Sequence, residues 1–150
     1  MLVKNLMIGA AIIYTKERAG DFWFLCKNNS DSDWELPKAI VRRGESSVRS
    51  VIRIMSEQGG MRARVIEEIG RASSTTSVNN RLVPQKTIYY LMLQKGEDNV
   101  IGFAQYEWFP FEKALRRLSS KKDQAMLKAA KQMVKELARR LKAKGLKLTR

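Results

Sequence analysis

From Glu45 to Met61 the chain reads "ESSVRSVIRIMSEQGGM", and positions 54, 57 and 58 stand at i, i+3 and i+4 of its helical run. Side chains at that spacing share one face of a helix. Three carboxylates there would converge on one or two divalent cations, which could bridge a pyrophosphate and activate a water. In this chain the three residues are Ile54, Glu57 and Gln58, so a single acid remains, with Arg53 beside it. Isoleucine has no donor atom, and glutamine offers a neutral carbonyl oxygen where a full negative charge would sit. Magnesium dehydrates reluctantly and is held mainly by anionic oxygens and water. The spacing therefore predicts a weakened or lost metal site, with Glu57 as its one remaining ligand. A purely structural role is the competing expectation: Glu57 beside Arg53 forms an ion pair that fixes the helix to the loop at Glu45.

Other site chemistries are narrowed by composition. The 150-residue sequence has no histidine and a single cysteine, Cys26. That excludes Cys-His and His-based zinc sites, Ser-His-Asp triads and an internal disulfide. A metal would have to be held by carboxylates, so magnesium or manganese is the expected cofactor only if hydrolysis is retained. One cysteine suits a reducing compartment, and a cytoplasmic location is expected. The opening "MLVKNLMIGAAIIY" is too short to span a bilayer and runs into the charged "TKERAGD" without a convincing cleavage site. It reads as a buried first strand, and no membrane role is expected.

These residues need a scaffold, and the pattern supplies one. Leu6 to Tyr14 and Phe22 to Lys27 read as two strands of a hairpin around a charged turn, followed by a polar loop from Asn28 to Asp33. "WELPKAIV" is a short extended piece, with Pro37 blocking helix entry. Ser46 or Ser47 can cap the next helix, on which Val48, Val51, Ile52 and Met55 form the expected buried stripe. Gly59 and Gly60 end it. Met61 to Ser73 is extended, "SSTTSVNNRLVPQ" is a polar loop or hairpin tip, and Lys86 to Gln94 is the clearest strand. A last strand ends near Pro110, a short helix covers Phe111 to Leu118, and a long one runs from about Gln124 to Ala143. No repeat or linker divides the chain, so one domain over residues 1–143 is expected, with a basic tail at 144–150.

The segment from Ala39 to Met61 resembles the Nudix box, G-x5-E-x7-R-E-U-x-E-E-x-G-U, where U is a bulky aliphatic residue. Aligned without gaps, Ala39 stands at the leading glycine, while Glu45, Arg53, Met55, Glu57, Gly60 and Met61 match; Ile54 and Gln58 stand where the family carries glutamates. "WELPKA", "KTIYYLML" and "EWFPFEKALRRL" are similar, in that order, to segments of the dinucleoside tetraphosphate hydrolase branch. The resemblance implies an α/β (α+β) fold, an α/β/α sandwich with a mixed sheet between helices. It implies residual catalytic roles for Glu57, Arg53 and Glu45 if the protein is active. It also makes Lys38 and Lys86 the expected phosphate contacts, with Arg42 and Arg43 beside them. Glu97, Asp98 and Glu107 are the nearest acids that could stand opposite Glu57.

Charge is where the composition departs from average. With 29 Lys and Arg against 15 Asp and Glu, the formal net charge is +14, an excess that favours polyanionic partners. Lys128, Lys131, Lys135, Arg139 and Lys142 recur at i, i+3, i+7, i+11 and i+14, a cationic ridge that could track a phosphate backbone. Beside it, Met126, Ala130, Met133, Leu137 and Leu141 form the stripe expected to pack on the domain.

Three functions follow as expectations. The first is a hydrolysis-impaired protein that binds RNA or a ribonucleoprotein through its basic surface. The second is a pseudoenzyme that senses a nucleotide polyphosphate, and the third is a pyrophosphohydrolase acting on dinucleoside polyphosphates or related nucleoside diphosphate derivatives.

Overall fold

The structure is a computed structural model and describes residues 5–97, 100 and 102–145. Along the chain come β1 (Leu6–Glu17), β2 (Gly20–Lys27), β3 (Lys38–Ile40), α1 (Ser47–Glu57), β4 (Met61–Val78), β5 (Arg81–Glu97), β6 (Gln105–Pro110), α2 (Phe111–Arg117) and α3 (Lys121–Ala143). The strands form one mixed sheet in the order β4-β5-β1-β2-β6, and β3 pairs with β1. Among the named strand pairs of the described residues, β1–β5 is the parallel one, running from Leu6 against Gln85 to Tyr14 against Leu93.

Side chains alternate across this sheet, as strand geometry requires, and the alternation builds two apolar layers. Ala11, Ile13, Phe24, Ile88, Tyr90 and Met92 face α1, whose Val51, Ile54 and Met55 join them. Ala10, Ile12, Tyr14, Trp23, Tyr89 and Leu91 face the other way, where Ala114 of α2 and Leu127, Ala130 and Val134 of α3 cover them. Helices thus sandwich the sheet, the architecture expected from the sequence.

The polar stretch near Asn79 is a hairpin tip. β4 and β5 pair continuously out to Val78 against Arg81, and Asn79 and Asn80 turn the chain at φ +52° and +65°. Asparagine tolerates that left-handed region better than most residues. Pro84, which cannot donate a backbone hydrogen bond, lies just before Gln85, where β1 begins to pair with β5.

Two helix faces differ from the expected stripes. On α1 the buried residues are Ser50, Val51, Ile54 and Met55, while Ile52 is 46% exposed. Gly9 lets the Ser50 side of the helix approach β1 closely: a Cβ added at Gly9 would lie 2.3 Å from the Ser50 hydroxyl oxygen. Ile54, one turn further along the same face, is buried with Ser50. On α3 the fully buried line is Asp123, Leu127, Ala130 and Val134, with Met126 and Met133 packed at its side. The helix also starts at Lys121, capped by Ser120, whose hydroxyl oxygen accepts from the Asp123 N–H at 3.2 Å.

Candidate functional site

The loop between β3 and α1 is folded around Glu45. Its carboxylate accepts from the Arg42 backbone N–H at 3.0 Å, and the Glu45 N–H donates back to the Arg42 carbonyl at 2.9 Å. Gly44, at φ +79°, makes the corner. Ser46 caps α1 by accepting from the Arg49 N–H at 3.2 Å. Arg53, two turns along, reaches back with Nε on Glu45 Oε2 at 2.8 Å and Nη2 on Oε1 at 3.1 Å. The same Nη2 donates to the Ile40 carbonyl at 3.1 Å. Donation from Arg53, then from the Arg42 backbone, lowers the Glu45 carboxyl from its ordinary 4.5 to about 2. The pair that fastens α1 to the loop is therefore Arg53–Glu45. Glu57, expected to share it, is exposed and reaches Arg53 only as a more distant charge.

The face that a metal would need is built differently. Ile54 is 3% exposed and packs in the apolar layer with Ala39, Val51 and Phe103. Gln58 ends the helix, its carbonyl accepting from the Gly102 N–H at 3.0 Å. A Cβ at Gly102 would fall 2.3 Å from that of Gln58, so the segment entering β6 lies tight against this end of α1. Among the described residues no three Asp, Glu, Cys or His side chains gather as a metal-holding group. Glu107 pairs with Leu25, which belongs to the layer beneath α3, so Glu107 projects from the face opposite α1. Asp98 lies outside the described residues. Asp98 and the Glu97 side chain apart, the described residues on this face offer Glu57 alone and do not fit a divalent cation.

The expected phosphate contacts are dispersed. Lys38 donates to Asp123 at 2.8 Å, and Asp123, 1% exposed, also accepts from the Tyr89 hydroxyl at 2.7 Å. Burial, and then that bond to a carboxylate, push the Tyr89 hydroxyl pKa up. This cluster pins the start of α3 to the sheet and to β3, and periodicity could not reveal it because Asp123 is an acid on a helix that otherwise reads as basic. Lys86 is exposed and, by alternation from Ile88 and Tyr90, lies on the α1 face of the sheet. Tyr90 in turn shares a 2.5 Å hydrogen bond with Ser47 at the first turn of α1. Arg42 and Arg43 are exposed on the loop. A recess of about 640 Å³ opens over the outer side of α1, lined by Glu45, Arg49, Arg53 and Glu57 together with Val48, Ile52 and Ser56.

The ridge on α3 is only partly available. Lys128, Lys135 and Lys142 are exposed. Lys131 is half-buried, its ammonium 4.1 Å from the centre of the Phe111 ring. Arg139 pairs with Glu136 at 3.0 Å.

Sandwich, box loop and helix together define a Nudix domain, and the chain belongs to that family: the NUDIX domain profile matches residues 6–130. Among individual proteins, it is 26% identical over 107 residues to a Mycobacterium tuberculosis protein named as mutator protein MutT4, covering 69% of this chain and 43% of that one. The chain thus spans less than half the length of that relative. In fold it is similar to a Caenorhabditis elegans Ap4A hydrolase, with a TM-score of 0.69 at 17% identity over 87% of this chain and 99% of the other. It is also similar to the NUDIX domain of Shewanella oneidensis NrtR, solved with ADP ribose, with a TM-score of 0.63 at 15% identity over 89% and 90%.

Proposed function

We propose that this Nudix domain binds a nucleoside diphosphate derivative and that its metal-dependent hydrolysis is lost or strongly reduced. The observation that carries the second half is Ile54, an apolar residue packed in the core at a position where the box has a glutamate. The first half is supported by the family and by the names of its structural neighbours, which concern Ap4A and ADP ribose. Arg49 beside the α1 recess, with Lys86 on the sheet face, supplies positive charge for such a ligand, while Arg53 is held by Glu45. Cys26, a buried thiol whose pKa burial pushes up, suits a cytoplasmic setting. Among the described residues no helix is long and apolar enough to cross a membrane.

Calorimetric titration with ADP ribose and diadenosine tetraphosphate, beside a product assay with magnesium or manganese, tests both halves. The expected result is binding without turnover. Turnover that Glu57→Gln abolishes would overturn the loss of catalysis, and failure of both ligands to bind would overturn the ligand class.

A second reading rests on the exposed Lys128, Lys135 and Lys142 of α3 and the net charge of +14: binding of RNA or a ribonucleoprotein; of the expected basic tail at 144–150, residues 146–150 lie outside the described residues. Salt-dependent binding that weakens when these three lysines are neutralised is its signature.

A further inference from the structure

The hairpin of β4 and β5 is longer than the sheet it belongs to. β1 begins to pair with β5 at Leu6 against Gln85, and on β4 Ser74 stands opposite the same Gln85. Beyond that rung, Thr75 and Pro84, Thr76 and Val83, Ser77 and Leu82, and Val78 and Arg81 pair only with each other among the described residues. At about 3.4 Å per residue they form a two-stranded arm that reaches about 14 Å past the sheet. Asn79 and Asn80 close it. A two-stranded ribbon without a packed layer is marginal on its own in water. Helix α3 runs antiparallel to β4 at the sheet's edge: Lys122 donates to the Ser73 carbonyl, Met126 lies against Gly70, and Met133 shares a recess with Glu67. The arm therefore continues past the end of α3 that carries the exposed Lys121 and Lys122.

The chemistry of the arm fits a polyanion better than a protein. No acid occurs between Glu68 and Glu97, a stretch that contains Arg71, Arg81, Lys86 and Lys95. Its exposed polar groups are hydroxyls and amides, on Ser74, Thr75, Ser77, Asn79 and Asn80, beside Arg81. Cross-strand partners share a face, so Leu82 stands with Ser77, and Val78 with Arg81. These two apolar residues, 73% and 44% exposed, are thus on opposite faces, and neither face gives a protein partner a continuous apolar patch. Hydroxyl and amide groups both donate and accept hydrogen bonds, as a ribose 2′-hydroxyl does. In an RNA duplex those 2′-hydroxyls line a wide, shallow minor groove, while the major groove is too narrow for side chains to read. Phosphates border that groove, and lysines on them position a protein without reading sequence.

We infer that the β4–β5 arm lies in the minor groove of an RNA duplex, its hydroxyls and amides on the 2′-hydroxyls, with Lys121, Lys122 and the exposed lysines of α3 along the adjoining phosphates. The inference deepens the reading of α3 as an RNA-binding surface and rests on it. Fluorescence anisotropy of the full chain with an RNA duplex and with the DNA duplex of the same sequence tests both. The RNA duplex binds more tightly than the DNA duplex. Thr75→Val, Ser77→Ala and Asn80→Gly together remove polar groups at constant charge, and glycine keeps the positive φ of the turn. The combined variant binds the RNA duplex about tenfold more weakly and loses the preference over DNA, while its salt dependence is unchanged. If the substituted arm frays, a chain in which Asn-Gly joins Ser74 to Gln85 removes the arm altogether and loses the same preference. Equal affinity for the two duplexes, or a preference kept in both variants, overturns the inference and leaves the α3 reading intact. A dimer that needs the arm and excludes RNA also overturns it, by making a second copy of the chain the occupant. Failure of both duplexes to bind overturns the inference and the α3 reading together.

Discussion

At the scale of single residues, two charged groups hold the box loop and the start of α3. Because the Glu45 carboxyl is lowered to about 2 in the folded protein, its contribution to stability is fully present above the ordinary carboxylate range. It is lost as pH falls from about 4.5 towards 2. The wild-type protein should therefore lose stability over that window more steeply than Arg53→Ala, a comparison that acid titration of circular dichroism makes directly. Asp123 makes the opposite demand on its surroundings: it is buried and holds both Lys38 and Tyr89. Asp123→Ala strands the Tyr89 hydroxyl and leaves Lys38 without its partner. Lys38 is 30% exposed and water can take up part of that loss, so the expected cost is about 2–3 kcal/mol, read from urea denaturation.

At the scale of elements, α1 shows how the packing of one helix face decides what a motif can do. It has the serine cap and the Arg53–Glu45 tie to its loop, yet Ile54 belongs to the core. Ile54→Glu restores the residue type of the family but buries a carboxylate among Ala39, Val51 and Phe103. Burying an unpaired charge is costly, so this variant should lose at least about 3 kcal/mol of stability or hold its new carboxyl protonated. Magnesium-dependent turnover should not return with Ile54→Glu alone. Denaturation curves and a product assay on the variant check both outcomes, and turnover without lost stability would show that the face accepts a metal ligand after all. The α3 helix behaves in the same way. Its charge pattern is legible in sequence, but the Phe111 ring takes up Lys131, while Arg139 stays exposed beside Glu136.

At the scale of the whole molecule, the net charge of +14 governs association more than folding. If RNA is a partner, the logarithm of its affinity should fall linearly with the logarithm of salt concentration. Neutralising Lys128, Lys135 and Lys142 to Gln should lower that slope by roughly 2, at about 0.7 per phosphate contact on a single strand. Filter binding across a salt series measures it, and an unchanged slope would assign the ridge to solubility alone.

The sequence by itself determined the family and the layered fold. Hydrophobic alternation, the Gly-Glu corner, the serine cap and the glycine stop are local signals, each read within a few residues, and they agree with one another. It also determined that two acids are missing from the box. Tertiary structure alone decided where the remaining groups stand. Ile54 lies in the core on the face that also carries Ser50, which Gly9 admits against β1, and Lys38 meets an aspartate 85 residues away. Contacts between distant segments depend on register and helix rotation, and a change of one residue in either sends a side chain to a different face; local sequence patterns do not encode that choice.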